Sequence, residues 1–167
     1  MSSKSLQELL RYNSRISNRI LSLTKQQWPE DLAKQMAEQG LYFKDSYNLR
    51  NGFILCYVCG LVFDKPEKTK KSLDAFCQAH KNKALCWIPK VIAMYPSASF
   101  YMNWPIIWIS PIDVIKSGFS FNDDDDGELC KCHTCHASIE SWGFPLSTTM
   151  DLLKTLHNPN CTAYLPV

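Results

Sequence analysis

Six cysteines and two histidines of this chain fall into two sets with the same internal order. Cys56, Cys59, His80 and Cys86 form the first, and Cys132, Cys135, His157 and Cys161 form the second. The two Cys-x-x-Cys pairs lie 76 residues apart. The intervals that follow are 20 and 5 residues in the first set, 21 and 3 in the second. Three thiolates and an imidazole complete a tetrahedral shell for zinc and leave no position for a substrate. The expectation is two structural Zn2+ ions per chain and no catalytic residues.

The remaining candidates fit this chemistry less well. Cys77 and Cys130 occupy positions that the repeated pattern leaves empty, so they read as buried, inert thiols. His133 and His136 flank the second Cys pair, but His157 alone repeats the position of His80. A catalytic zinc needs an open coordination position and a carboxylate base. Glu140 and Asp151 lie near the second set, yet four ligands already fill it. No His-Glu-x-x-His, phosphate-binding Gly-rich loop or nucleophile elbow is present. These absences argue against an enzyme and against a small-molecule substrate.

The elements that must position the ligands also repeat. Trp28-Pro29 recurs as Trp104-Pro105, and Gly40-Leu41-Tyr42-Phe43 answers to Gly118-Phe119-Ser120-Phe121. So many correspondences in one order indicate an internal duplication. Each copy reads as Trp-Pro, short helix, strand, Cys-x-x-Cys, strand, helix with His, then Cys. Pro29 suits the first turn of a helix that Gly40 ends. Ser110, Pro111 and Gly118 cap, start and end its counterpart. Strands lead into the Cys pairs at Phe53 to Cys56 and Glu128 to Cys132, the former after an Asn51-Gly52 hairpin turn. Asp123 to Asp126 reads as a solvated turn rather than a calcium loop. Leu73, Phe76 and His80 share one helical face, as do Met150, Leu153 and His157 behind a Thr148-x-x-Asp151 cap.

A capping box at Ser5 and Glu8, followed by Leu6, Leu9, Ile16, Ile20 and Leu23 at helical spacing, predicts a helix from about residue 6 to 25. Arg11, Arg15 and Arg19 then fall on its solvated face. The class is α+β, with residues 1–92 holding this helix and the first zinc module and residues 93–167 the second. Ile106, Ile107, Trp108 and Ile109, with Trp104, are expected between the modules.

Units of about 80 residues are close to the size at which a core needs a staple, and zinc would supply it. The net charge of +2 gives no general case for nucleic acid. Lys65, Lys68, Lys70, Lys71, Lys81 and Lys83 do make the first module basic, so nucleic-acid binding through it is the competing class. No apolar run approaches the roughly 18 residues of a membrane span. The N-terminal residues lack the apolar segment of a secretory signal. A reducing compartment follows, cytoplasmic or nuclear, where such cysteines bind metal rather than pair as disulfides.

The second copy resembles the baculoviral inhibitor-of-apoptosis repeat (BIR). The likeness rests on Ser99-Phe100 before Trp104-Pro105, on Ser117-Gly118-Phe119, and on Cys132-x-x-Cys135 with Trp142 seven residues on. The first copy is similar through Trp28-Pro29, Gly40 to Phe43, and Cys56-Tyr57-Val58-Cys59-Gly60-Leu61. Together the likenesses cover about residues 15–90 and 95–165. They imply two BIR-like modules, each a short three-stranded antiparallel sheet surrounded by helices around one zinc. They also imply an inhibitor-of-apoptosis-like factor that binds caspases or pro-apoptotic or chromosomal proteins. Repeats of this kind capture peptide N-termini beside the third strand, which corresponds to Ile139, Glu140, Ser141 and Trp142. The chain departs from the pattern in having no Trp between the zinc His and the last Cys in either copy. No RING-type array follows the second module, so ligase activity is not implied. The short interval from His157 to Cys161, and Cys86-Trp87, are similar to the C3HC-type zinc modules of nuclear-basket proteins. That branch would make the partner a scaffold.

Overall fold

The computed structural model describes residues 12–45, 52–64, 67–96, 101–121, 128–140 and 150–163. The chain forms two compact units, Met1–Pro105 and Ile106–Val167. Trp104 and Pro105, which open the second copy of the sequence repeat, therefore belong to the first unit. Among the described residues no helix is long and apolar enough to cross a membrane.

In the first unit, helix α1 spans Ile16–Thr24 and α2 spans Glu30–Glu38. Pro29 is the N-cap of α2, one position earlier than the sequence suggested, and Glu30 and Asp31 place negative charge at its positive end. Gly40 (φ +78°) ends the helix in the left-handed region and turns the chain directly into a strand. Strands β1 (Leu41–Lys44), β2 (Phe53–Cys56) and β3 (Val62–Asp64) form an antiparallel sheet in the order β1-β2-β3. Leu41 faces Cys56 and Ile54 faces Phe63 across it. Ile54 and Cys56 are buried while Phe53 and Leu55 are half-buried, the alternation of a strand with one face on a core. Helices α3 (Lys70–Lys81) and α4 (Ile88–Met94) follow. The Thr69 hydroxyl caps α3 by accepting from the Ser72 amide. Leu73, Phe76 and His80 are all buried, as their spacing predicts.

The N-terminal helix differs from expectation. Residues 12–14 are helical, but Arg15 is extended (φ −73°, ψ 124°), and α1 restarts at Ile16. The break changes the phase of everything before it. Arg19 is consequently not on a solvated face but is 1% exposed. Its guanidinium donates to the carbonyls of Asn13, Ser14, Ala37 and Met102. The helix break and the buried cation explain each other: interrupting the helix frees two carbonyls, and Arg19 takes both. Ser5 and Glu8, the proposed capping box, lie outside the described residues.

The second unit repeats the plan in shorter elements. Helix α5 spans Pro111–Lys116, with the Ser110 hydroxyl accepting from the Ile112 amide as predicted. Strands β4 (Ser120–Phe121), β5 (Glu128–Lys131) and β6 (Ser138–Glu140) form a second antiparallel sheet in the order β4-β5-β6. Ile106, Ile109, Val114, Phe119, Cys130, Ile139 and Leu153 are buried, and Ile107 and Trp108 half-buried. Helix α6 (Met150–Thr155) ends two residues before His157, so this histidine sits in the turn beyond the helix rather than on it. Leu153 faces the core, but Met150 is exposed. Thr148 lies outside the described residues. The fold class is thus α+β, two small modules each with a three-stranded antiparallel sheet and surrounding helices.

Candidate metal centres

Each sheet carries a tight turn between its second and third strands, and that turn carries the Cys pair. In the first unit the Cys56 amide donates to the Leu61 carbonyl and the Gly60 amide to the Cys56 carbonyl. In the second, the Cys132 amide donates to the Ala137 carbonyl and the His136 amide to the Cys132 carbonyl. The residue after the second cysteine must take a left-handed conformation for the turn to close. Gly60 does so at φ 66° and His136 at φ 60°. A non-glycine residue there carries a steric penalty that the first turn avoids. His136 is exposed at this bend, and His133 is exposed beside the Ser120 hydroxyl, 2.8 Å from its Nε2. Neither joins the cluster.

The fold brings both predicted ligand sets together. The ligand atoms of Cys56, Cys59, His80 and Cys86 all lie within 4.8 Å of one another, and so do those of Cys132, Cys135, His157 and Cys161. In each set three of the four residues are buried, and the second cysteine of the pair is half-buried. No Asp or Glu joins either group among the described residues. None of the eight cysteines is in a disulfide. Cys130 is fully buried on β5 and Cys77 half-buried on α3, both outside the clusters.

The spacing fits a metal. Zinc–sulfur bonds of about 2.3 Å in a tetrahedron set sulfur–sulfur edges of about 3.8 Å. Cys56 and Cys86 sulfurs are 3.9 Å apart, and those of Cys132 and Cys161 3.7 Å. His157 Nδ1 lies 3.5 Å from Cys135 Sγ. His80 Nε2 lies closer to its neighbour, 2.8 Å from Cys86 Sγ. Each group could therefore hold one metal ion.

Backbone amides prepare the sulfurs for negative charge. The Ala163 amide donates to the Cys161 sulfur at 3.5 Å, and the backbone of Leu61, Ile88 and Ala137, each two residues further on, favours the ionised form of Cys59, Cys86 and Cys135. In the first cluster the neighbouring Cys56 and Cys86 thiols hold Cys59 well below the usual thiol range. The same proximity pushes Cys56 up to about 12 and Cys86 above the usual range. In the second cluster, burial raises Cys135, but the Ala137 and Asn158 amides and His157 outweigh it and bring it down to about 6. Such a group of thiols gives up protons to a cation that replaces them.

The groups around the imidazoles were not legible in the sequence. His157 packs against Phe119, with ring centroids 4.2 Å apart and the planes tilted by 34°, and its Nε2 is 2.6 Å from the Ser117 carbonyl. Ser117 follows α5, where unpaired helix carbonyls collect, and that position was the available signal. His80 packs on Phe76 at 5.2 Å. Its Nδ1 is buried without a hydrogen-bond partner among the described residues.

Of the peptide-site candidates, Ile139 is buried and pairs with Cys130, and Glu140 is exposed at the end of β6. Ser141 and Trp142 lie outside the described residues. Compared with models of known families, with curated proteins and with solved structures, the chain matches none.

Proposed function

We propose that this chain is a tandem zinc-module protein that binds other proteins, an inhibitor-of-apoptosis-like factor without catalytic activity. The observation that carries the reading is the closure of both clusters. Three sulfurs and one imidazole nitrogen converge in each, the donor set of structural zinc sites. Zinc bound there would link the Cys-x-x-Cys turn to the helical segment and the last cysteine, and so hold the module together. The binding work then falls to the surface.

Strands β3 and β6 are outermost in their sheets. Their outer backbone edges suit an extended peptide, which would add as a further strand. The caspase, pro-apoptotic or chromosomal partner is taken from the likeness to the BIR repeat described above. In that reading Glu140 and Trp142 flank the peptide, while Ile139 anchors the strand from below. The test is titration of a labelled Ala-initiated peptide against the wild-type chain and Trp142→Ala. Weak binding, weakened further by the substitution, is expected. Tight binding that ignores Trp142 would place the site elsewhere, and no binding would favour scaffold docking by another face.

A second reading has its own observation. Residues 1–105 hold 15 Lys and Arg against 8 Asp and Glu, whereas residues 106–167 hold 3 against 8. The small overall charge conceals a basic first unit and an acidic second one. Lys68, Lys70, Lys71, Lys81, Lys83 and Lys90 are all exposed. Nucleic acid bound there would be lost steeply as salt rises, whereas a peptide on a strand edge would not. Affinity measured at two salt concentrations for each ligand separates the readings.

A further inference from the structure

We infer that the two metal centres use different imidazole nitrogens: the second takes its ion through Nδ1 of His157, the first through Nε2 of His80. The inference rests on the zinc reading above and goes beyond it in naming the atoms.

An imidazole has two nitrogens, and the one hydrogen-bonded elsewhere is lost to the metal. In the second cluster Nε2 of His157 lies 2.6 Å from the Ser117 carbonyl. A carbonyl only accepts, so Nε2 carries the proton and donates it. Nδ1 is left with its lone pair, and it is this atom that lies 3.5 Å from Cys135 Sγ. Phe119, packed against the ring with its plane tilted by 34°, and the fully buried Ser117 hold the imidazole in that orientation.

The first cluster has the opposite arrangement. Nε2 of His80 lies 2.8 Å from Cys86 Sγ. Nδ1 is buried and meets no acceptor among the described residues. The difference follows from the elements. His80 lies within α3 and reaches the cluster with the far end of its ring, whereas His157 lies beyond α6, where the near nitrogen faces the sulfurs. Ser117 is thus a positioning residue for the second centre, acting through its backbone carbonyl. The first centre has no counterpart among the described residues.

The test replaces zinc by 113Cd in the full chain and reads metal–proton couplings in the imidazole rings. A cadmium on Nε2 is three bonds from both Hδ2 and Hε1, so both ring protons couple. A cadmium on Nδ1 is three bonds from Hε1 and four from Hδ2, so Hε1 alone couples strongly. The expected result is two ions per chain, with His80 coupled at both protons and His157 at Hε1 only. A long-range proton–nitrogen spectrum should show His157 protonated at Nε2. Strong coupling at Hδ2 of His157, or Hε1-only coupling at His80, overturns the inference while leaving the zinc reading intact. Uptake of fewer than two ions overturns the zinc reading and the inference with it, and the stoichiometry is measured before any coupling is read.

Discussion

The guanidinium carbon of Arg19 sits 4.7 Å above the centre of the Tyr57 ring. The Tyr57 hydroxyl in turn donates to the Trp104 carbonyl at 3.1 Å. Tyr57 is the residue after the first clustered cysteine, so a cation from α1 braces the Cys-x-x-Cys turn through an aromatic face. Tyr57 also meets Trp87 edge-on at 6.2 Å, next to the last ligand, Cys86. The first cluster is therefore backed by aromatic rings beside two of its four residues.

Arg19→Met should destabilise the first unit by about 3 kcal/mol or more. It removes the cation over Tyr57 and leaves carbonyls of four residues without their donor, and an unsatisfied buried acceptor costs about 1–3 kcal/mol. Arg19→Lys should recover only part of this, because an ammonium cannot reproduce the planar fork. Urea unfolding of the zinc-loaded chain measures both. Wild-type stability in Arg19→Met would mean that the carbonyls find other partners.

Purified protein should contain two zinc ions per chain. Cys56→Ser or Cys132→Ser should each remove one ion and unfold the module concerned, because binding and folding of such sites are coupled. Acid should release both ions, since protons compete for the same sulfurs and affinity falls as pH falls. Elemental analysis and a colorimetric zinc-release assay across pH check these outcomes.

The paired turns predict substitutions of opposite sign. His136→Gly should stabilise the second module by about 0.5–1 kcal/mol, because glycine takes positive φ without a Cβ clash. Gly60→Ala should destabilise the first by about 1–2 kcal/mol through the backbone alone. An added Cβ at Gly60 meets nothing within 4 Å, so no packing change obscures the result. Thermal unfolding of the zinc-loaded variants reads both.

Cys130 should resist alkylation in the native chain. Burial raises its thiol to about 12. Only the thiolate reacts, and at pH 8 a group of that pKa is ionised in about one molecule in ten thousand. Cys77 is raised too, by burial and then by Asp74, but it is only half-buried and should react slowly. Mass spectrometry of iodoacetamide-treated protein should show Cys130 modified only after unfolding. Rapid native labelling of Cys130 would contradict its place in the core.

The metal clusters were legible because ligand chemistry tolerates few residue types and Cys-x-x-Cys fixes its own local geometry. Gly40 and Gly118 mark where each helix gives way to a strand, whereas the three-stranded antiparallel sheets are what the likeness to the BIR repeat implies. Other features depend on contacts distant in sequence. An unbroken helix puts Arg19 on the solvated face, and nothing in the residues around Arg15 announces the break that buries it. Asn13 and Met102, two of the residues whose carbonyls accept from Arg19, are 89 residues apart in the chain. The spacing of His157 from Leu153 is helical, yet the helix ends at Thr155. Which imidazole nitrogen faces the sulfurs depends on a carbonyl 40 residues away.

The order β1-β2-β3 and its repeat β4-β5-β6 bear on how each module assembles. Every strand pairs with its neighbour in sequence, so the sheet and its Cys-x-x-Cys turn close short loops at small entropic penalty. The remaining two ligands arrive from a separate helical segment, after the longest stretch of chain in each cluster. The two-cysteine turn is thus expected to capture the cation first as a half-filled intermediate, and the histidine segment to dock afterwards. Stopped-flow mixing of the unfolded, reduced chain with Co2+ should reveal this as sulfur-to-metal absorbance that develops before the helical signal is complete.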